Sequence, residues 1–208
     1  DARREIAVIL IWAAVAAATG ALLGTLPARQ VQRVTRMTPW WKIGWLPGVV
    51  AASFAALAVT RAGWWALPAG LTFAVLGWWA AAIDSYTSHI PDRLLVITAF
   101  SVTTLALIPA IQHQTTKQFL VGLACGAGAG LLLWLVHLIT RGGVGFGDVK
   151  LAVITGTYVG WASPILVVWH LVAALGSVAL AIRATQQQRH PLGPWLVLAS
   201  IVTVTAFA

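Results

Sequence analysis

The stretch Gly142-Gly143-Val144-Gly145-Phe146-Gly147-Asp148-Val149-Lys150 separates two long apolar runs with four glycines and a carboxylate. Without it, those runs would be predicted as unbroken membrane helix. A carboxylate is costly at the edge of a bilayer, and ionisable residues that are kept there are usually functional. The stretch therefore predicts a break between two membrane segments and, at the same place, a functional site.

The composition is that of a membrane protein with several spans. Of the 208 residues, 60% are hydrophobic and 9% are charged, and the mean hydropathy is +0.88. These values exclude an ordinary soluble fold. Apolar runs near the ~20 residues that a membrane helix needs favour helices over a barrel of alternating strands. We therefore predict an all-α, polytopic integral membrane helical bundle that forms a single domain over residues 1–208.

About eight membrane segments can be drawn, and the first is interpreted as a retained anchor. The sixth is short, because a helix of about a dozen residues rises only ~18 Å. We expect it to be either a half-helix within the protein or continuous with part of the next segment. The predicted segments are residues 6–26, 43–59, 65–83, 94–111, 119–139, 149–160, 164–182 and 192–207.

Positive charge is concentrated in the loops on one side of the predicted bundle. The net charge is +8, and nine of the thirteen Lys and Arg residues fall within residues 28–42, 84–93, 140–150 and 183–191. By the positive-inside rule these loops are cytoplasmic and both termini lie outside, provided that the sixth segment reaches the far face. The basic residues are expected to meet anionic lipid headgroups. No long basic face indicates a nucleic-acid partner.

Only three carboxylates follow Glu5, and all of them fall on the predicted cytoplasmic side: Asp84, Asp92 and Asp148. Asp84 follows an apolar run and Asp148 precedes one, so both are placed at the hydrocarbon boundary. The alternative for each is a structural role, as a helix cap or as the partner of a nearby cation. For Asp92 the structural role is favoured. The nearby cations are Arg93, Arg141 and Lys150.

Two carboxylates in one apolar site suit the hydrolysis of a peptide bond. They cannot both ionise easily, so they share a proton and titrate as a pair. The ionised partner takes a proton from the attacking water, while the protonated partner donates a hydrogen bond to the scissile carbonyl. Gly145 and Gly147 leave room beside Asp148 for an extended substrate backbone. This chemistry requires no cofactor, and the single Cys125 excludes a zinc site with several cysteine ligands.

Three parts of the sequence together resemble one protein family. They are Gly145-Phe146-Gly147-Asp148-Val149-Lys150-Leu151, Asp84 followed by Ile90-Pro91-Asp92, and Arg183 followed by His190-Pro191-Leu192-Gly193-Pro194. This pattern is similar to that of the type IV prepilin peptidases, membrane aspartic proteases with a GxGD motif. The resemblance implies that Asp84 and Asp148 are the catalytic pair, with Gly145, Gly147 and Lys150 as supporting or substrate-binding residues.

The same resemblance implies a substrate and a location. The substrates would be prepilins or pseudopilins of a type IV pilus or a type II protein secretion system, recognised by their leader and hydrophobic helix. Cleavage would follow the glycine before that helix. The enzyme would be a multi-pass protein of the bacterial cytoplasmic (inner) membrane, with its active site facing the cytoplasm.

One departure from the family pattern lies in residues 28–42. Longer family members carry a four-cysteine cytoplasmic domain after the first helix and also methylate the new N-terminus with S-adenosylmethionine. Here that loop is short, basic and without cysteine. We therefore expect a leader peptidase without N-methyltransferase activity, without a bound metal and without a cofactor.

Two other functions were compatible with the residues. The first is a proton- or cation-coupled membrane transporter in which the two Asp form a relay and the short sixth segment is a broken helix. Against it, no acidic residue lies in the middle of a span, and the first half has no matching interruption. The second is a non-enzymatic pilus-assembly scaffold, against which the presence of both Asp84 and Asp148 argues.

Two further patterns predict packing and not chemistry. Gly122, Gly126 and Gly130 recur every four residues in the fifth segment, a spacing that lets two helix backbones approach closely. His137 and His170 lie in apolar segments and have no neighbours at metal-ligand spacing. We expect each histidine to form a hydrogen bond between helices.

Overall fold

The computed structural model describes residues 18–20, 44–141, 143–185 and 190–207, and within them it contains helices and turns but no strand. The all-α prediction is confirmed. Residues 18–20 of the predicted first segment are helical, while the rest of that segment and the loop 28–42 lie outside the described residues. The complete helices described are α1 (Leu46–Thr60), α2 (Leu67–Thr87), α3 (Asp92–Gln112), α4 (Thr116–Ile139), α5 (Phe146–Ala162), α6 (Pro164–Thr185) and α7 (Gly193–Phe207).

The helix boundaries follow from proline and from the limits of the apolar runs. α1 and α2 each have a proline in the first two positions, where a missing N–H costs nothing. α2 ends at Thr87, and the next residue, Ser88, caps it. Ser88 has a left-handed φ of 51°, and its N–H donates a hydrogen bond to the Asp84 carbonyl that closes the last turn. The predicted and observed ends of these helices differ by at most four residues.

Four of the described helices, α2, α3, α4 and α6, are long and apolar enough to cross a membrane. Of the most apolar stretch of α2, 61% is buried inside the protein, against no more than 33% in the other three. α2 is therefore the most buried of these four helices, and the other three have much exposed apolar surface. The chain is a multi-pass membrane protein.

Helix α5 is longer than the predicted sixth segment. It spans 17 residues, a rise of ~25 Å. At its far end Trp161 packs against Trp65 and Phe119, and its Nε1 donates a 3.2 Å hydrogen bond to the Phe119 carbonyl. Ser163 then adopts an extended conformation and separates α5 from α6. The helix therefore reaches the opposite end of the bundle, as the charge assignment requires, and is neither a half-helix nor continuous with the next helix.

The predicted glycine surface of α4 packs against α5, which confirms that prediction. A Cβ added at Gly126 would lie 2.5 Å from the Val153 carbonyl oxygen, and one at Gly122 would lie 3.0 Å from the Thr157 carbonyl oxygen. The approach is reciprocal, because a Cβ added at Gly156 of α5 would lie 3.2 Å from the Gly126 Cα. The two backbones are therefore in direct contact, and α4 fixes the position of α5.

The alternating direction of the helices brings three connections to one end of the bundle. These are the α2–α3 turn, the α4–α5 turn and the segment before α7. A Cβ added at Gly147 would lie 3.4 Å from the Ile90 Cβ, and the Gly193 N–H bonds the Asp84 side chain. The predicted cytoplasmic loops that the structure describes are thus gathered together.

We expect Gly126→Val to destabilise the protein, because its side chain must displace the backbone of α5. Overpacking of this kind costs about 1–3 kcal/mol, which a lowered thermal unfolding midpoint of the purified protein in detergent would report. Gly128→Val is the matched control, since a Cβ at Gly128 has no atom within 4 Å. Equal midpoints for the two variants would contradict the close α4–α5 contact.

Candidate active site

A cavity of about 230 Å³ opens at the end of the bundle where the three connections meet. Its walls come from the end of α2, the α2–α3 turn, the start of α3 and the start of α5. Both carboxylates that the sequence paired lie in it. The lining residues are Asp84, Ser88, His89, Ile90, Asp92, Gly145, Phe146, Gly147, Asp148 and Lys150.

Asp84 belongs to the last turn of α2 and is 4% exposed. Its Oδ2 accepts a 3.0 Å hydrogen bond from the backbone N–H of Gly193, the first residue of α7. The C-terminal end of a helix repels an anion, whereas the N-terminal end attracts one. The start of α7 therefore supplies the favourable partial charge that the end of α2 lacks.

Asp148 is the third residue of α5 and is 9% exposed. A Cβ added at Gly145, the residue that precedes the helix, would lie 3.1 Å from Asp148 Oδ2, so this oxygen lies beside the start of the helix. Asp148 therefore lies in the first turn of a helix, where the end of the helix dipole favours an anion. The second oxygen, Oδ1, is buried and has no hydrogen-bond partner among the described residues.

The two carboxylates line the same cavity. Two carboxylates that are both ionised in one buried site repel each other. One carboxylate comes from α2 and the other from the glycine-rich stretch before and within α5. The fold thus brings together the two halves that the sequence placed on the same side of the membrane.

Asp92 and Lys150 form an ion pair at the mouth of the cavity, with 2.7 Å between Nζ and Oδ1. Their side chains are 69% and 37% exposed, so the pair contributes only ~0–1 kcal/mol to stability. The Lys150 ammonium also lies 5.1 Å from the centre of the Phe146 ring. Of the three nearby cations, Arg93, Arg141 and Lys150, it is Lys150 that forms an ion pair with Asp92.

The two glycines of the motif have different surroundings. A Cβ added at Gly145 would lie 3.1 Å from Asp148 Oδ2, so the absence of a side chain there gives the carboxylate its place. At Gly147 an added Cβ would face Ile90 of the α2–α3 turn at 3.4 Å, an ordinary contact distance. The absence of a side chain at Gly145 therefore leaves room for the Asp148 carboxylate, while Gly147 lies where α5 meets the turn after α2.

Three residues at the site were not singled out by chemical reasoning on the sequence: Gly193, His89 and Ile90. Gly193 belongs to the Gly-Pro pattern that begins the last predicted segment, and this pattern alone indicates no chemical role for it. The signal that marks it is a glycine at the first position of a helix on the carboxylate side of the membrane. His89 and Ile90 line the cavity and are marked only by lying between Asp84 and Asp92.

The apolar histidines take part in hydrogen bonds and not in the site. His170 Nε2 donates to the Leu196 carbonyl at 3.2 Å, a bond from α6 to α7 that confirms the predicted role. His137 Nδ1 lies 2.6 Å from the carbonyl of Val144, which belongs to the connection after its own helix, so the prediction of a bond between helices is wrong for His137. Within the residues that the structure describes, no group of three or more His, Cys, Asp and Glu side chains is arranged to hold a metal ion.

Proteins similar to this chain carry one kind of name. Prepilin leader peptidase/N-methyltransferase of Burkholderia pseudomallei (strain K96243) is 34% identical over 158 residues, which cover 66% of this chain and 47% of that protein. The protein of the same name from Escherichia coli (strain K12) is 29% identical over 133 residues, covering 60% and 56% respectively. The chain spans about half the length of these curated relatives. No solved structure matches it significantly.

The match to a family profile covers more of the chain. The profile of the type IV leader peptidase family aligns with residues 71–207, well over half of the 208 residues. The matched region holds Asp84, Asp148 and Gly193, and therefore the whole cavity described above. The chain belongs to the type IV leader peptidase family.

Proposed function

We propose that this chain is a membrane aspartic endopeptidase that removes the leader peptide of type IV prepilins or pseudopilins. The observation that carries the proposal is the pair of buried carboxylates, Asp84 and Asp148, that line one cavity from separate helices. Asp84 accepts a hydrogen bond from the backbone N–H of Gly193, and Asp148 lies in the first turn of α5. The family match and the names of the bacterial relatives supply the substrate class.

The proposed reaction starts with one carboxyl ionised and the other protonated. The water oxygen bonds to the scissile carbonyl carbon while one water proton passes to the ionised carboxylate, and the protonated carboxyl gives its proton to the carbonyl oxygen. The carboxyl that took the water proton then gives it to the amide nitrogen as the C–N bond breaks. A hydroxyl of the tetrahedral carbon returns a proton to the other carboxylate. Both groups end as they began, so the cycle balances without a further reactant.

Charge supports a cytoplasmic orientation of the cavity in the bacterial inner membrane. Cations are more numerous at the cavity end of the described helices, and cytoplasmic loops are the ones enriched in Lys and Arg. A prepilin leader reaches an enzyme from that side. Among the described residues, the cations toward the cavity end are Arg93, Arg141, Lys150 and Arg183, and those toward the other end are Arg61 and Lys117.

The proposal is restricted to the peptidase reaction. The relatives' names include N-methyltransferase, but this chain spans about half their length, and its loop 28–42 contains no cysteine. The alternative of a cation-coupled transporter receives no support from the family match.

We predict that Asp84→Asn and Asp148→Asn each abolish cleavage. Asparagine keeps the shape of the side chain but cannot ionise or exchange a proton, so the rate falls by about 10²–10⁴-fold or more. The assay uses the purified chain in proteoliposomes with a prepilin that the Escherichia coli relative cleaves, and that relative is the positive control.

Asp92→Asn is the matched control for these variants. It also removes a carboxylate from the cavity wall, but one in an exposed ion pair, so cleavage stays within about fivefold of the unmodified chain. Retained cleavage by either Asp84→Asn or Asp148→Asn would overturn the proposal. Proton-dependent solute uptake without cleavage would favour the transporter instead.

We predict a bell-shaped dependence of the cleavage rate on pH. Below the optimum both carboxyls are protonated and no base is present, and above it both are ionised and no acid is present. Initial rates across buffered proteoliposomes would show both limbs, and Asp92→Asn should keep them. A rate that stays constant through the acidic range would be incompatible with a carboxylate base.

A further inference from the structure

The first residue of α7 directs its N–H away from the helix and onto Asp84. The N–H groups of Trp195 and Leu196 bond the Leu192 carbonyl and begin the helix, while Pro194 has no N–H. The donor of Gly193 is one of those that a helix start leaves without a partner inside the helix. Its partner is Asp84 Oδ2, at 3.0 Å in a buried setting.

The contact is close enough to require glycine. A Cβ added at Gly193 would lie 2.8 Å from Asp84 Oδ2 and 3.3 Å from the Asp84 Cβ and Cγ. Real Cβ atoms do not approach so near, so something must shift. The backbone of α7 is packed, whereas the carboxylate is the free end of a side chain. A methyl group at position 193 would therefore move the Asp84 carboxylate and not the helix.

Other contacts fix the position of α7 along the axis of the bundle, and therefore relative to Asp84. At its far end the Val204 carbonyl accepts hydrogen bonds from Arg61 Nε and Nη2 at 2.8 and 2.6 Å. In its first turn, the Leu196 carbonyl accepts from His170 of α6. The start of α7 therefore has little freedom to slide along the bundle, and its first N–H has a defined position.

Asp84 depends on a hydrogen-bond donor from another helix to a greater extent than Asp148 does. Asp148 lies in the first turn of its own helix, where the local N–H dipoles favour a negative charge. Asp84 lies at the end of α2, where the local carbonyl dipoles oppose a negative charge. Its donor has to come from elsewhere in the fold.

We propose that Gly193 is a positioning residue whose N–H holds the ionised Asp84 carboxylate in the cavity, so that the last helix completes the site. The expected effect of Gly193 on the cleavage rate rests on the proposed function. The contact between Gly193 and Asp84 does not, and it can be tested without a substrate.

The kinetic test compares Gly193→Ala with Gly176→Ala in the prepilin cleavage assay. We expect Gly193→Ala to lower kcat about tenfold or more with little change in KM, and to move the acid limb of the pH profile upward. Gly176 lies on α6 with open space around its Cα, so its alanine variant should match the unmodified chain. Both variants should unfold within a few degrees of the unmodified chain. A marked loss of thermal stability confined to Gly193→Ala would show a packing role and overturn the proposal.

The second test titrates Asp84 directly by infrared spectroscopy of the carboxyl C=O band. The chain has only five acidic residues, and Asp148→Asn leaves Asp84 as the one buried carboxyl of the site. The double variant Asp84→Asn/Asp148→Asn is the blank. Adding Gly193→Ala to Asp148→Asn should raise the pH midpoint of the Asp84 band by about one unit or more, because a hydrogen bond to the ionised form is lost.

A third pair of variants shows that the effect is specific to Asp84. Adding Gly193→Ala to Asp84→Asn should leave the Asp148 midpoint unchanged. The other titratable groups that line the cavity, His89, Asp92 and Lys150, are the same in every comparison. An Asp84 midpoint that does not move would overturn the proposal, even if cleavage were confirmed. Failure of the aspartate variants to stop cleavage would instead remove the proposed function.

Discussion

Two carboxylates buried at one end of an apolar bundle are the constraint on which the rest of this structure depends. A buried charge without compensation costs several kcal/mol, and Asp84 and Asp148 are only 4% and 9% exposed. The compensation is the backbone N–H of Gly193 for Asp84 and the N-terminal end of α5 for Asp148. A glycine lies beside each carboxylate, since a Cβ at Gly193 or Gly145 would lie 2.8 or 3.1 Å from a carboxylate oxygen.

The arrangement of the helices serves this constraint. α2 is the most buried of the four long helices and carries Asp84 in its last turn. α5 carries Asp148 and is held against α4 through glycines on both helices. α7 packs against both α2 and α5 and contributes no charge, yet its first N–H reaches Asp84. The site is therefore a property of three helices that are far apart in the sequence.

Much of the fold and the pairing of the carboxylates could be predicted from the sequence, because hydropathy and loop charge are local properties. The contacts that complete the site could not. Gly193 and Asp84 are 109 positions apart, and no local pattern links them. The choice of Lys150 as the partner of Asp92 depends on how α3 meets α5. The start of α5 at Phe146 could not be predicted from hydropathy, because the first turn contains a glycine and an aspartate, which weaken an apolar pattern.

The most direct measurement of the central claim, that the segments carrying Asp84 and Asp148 meet, is a disulfide cross-link. A Cβ added at Gly147 would lie 3.4 Å from the Ile90 Cβ, near the ~3.5–4.5 Å that a disulfide spans. In a chain without Cys125, Ile90→Cys with Gly147→Cys should form an intramolecular disulfide under mild oxidation, detected by mass spectrometry of the digested protein. Ile90→Cys with Gly128→Cys should not. Absence of the first cross-link, or equal formation of both, would contradict the account.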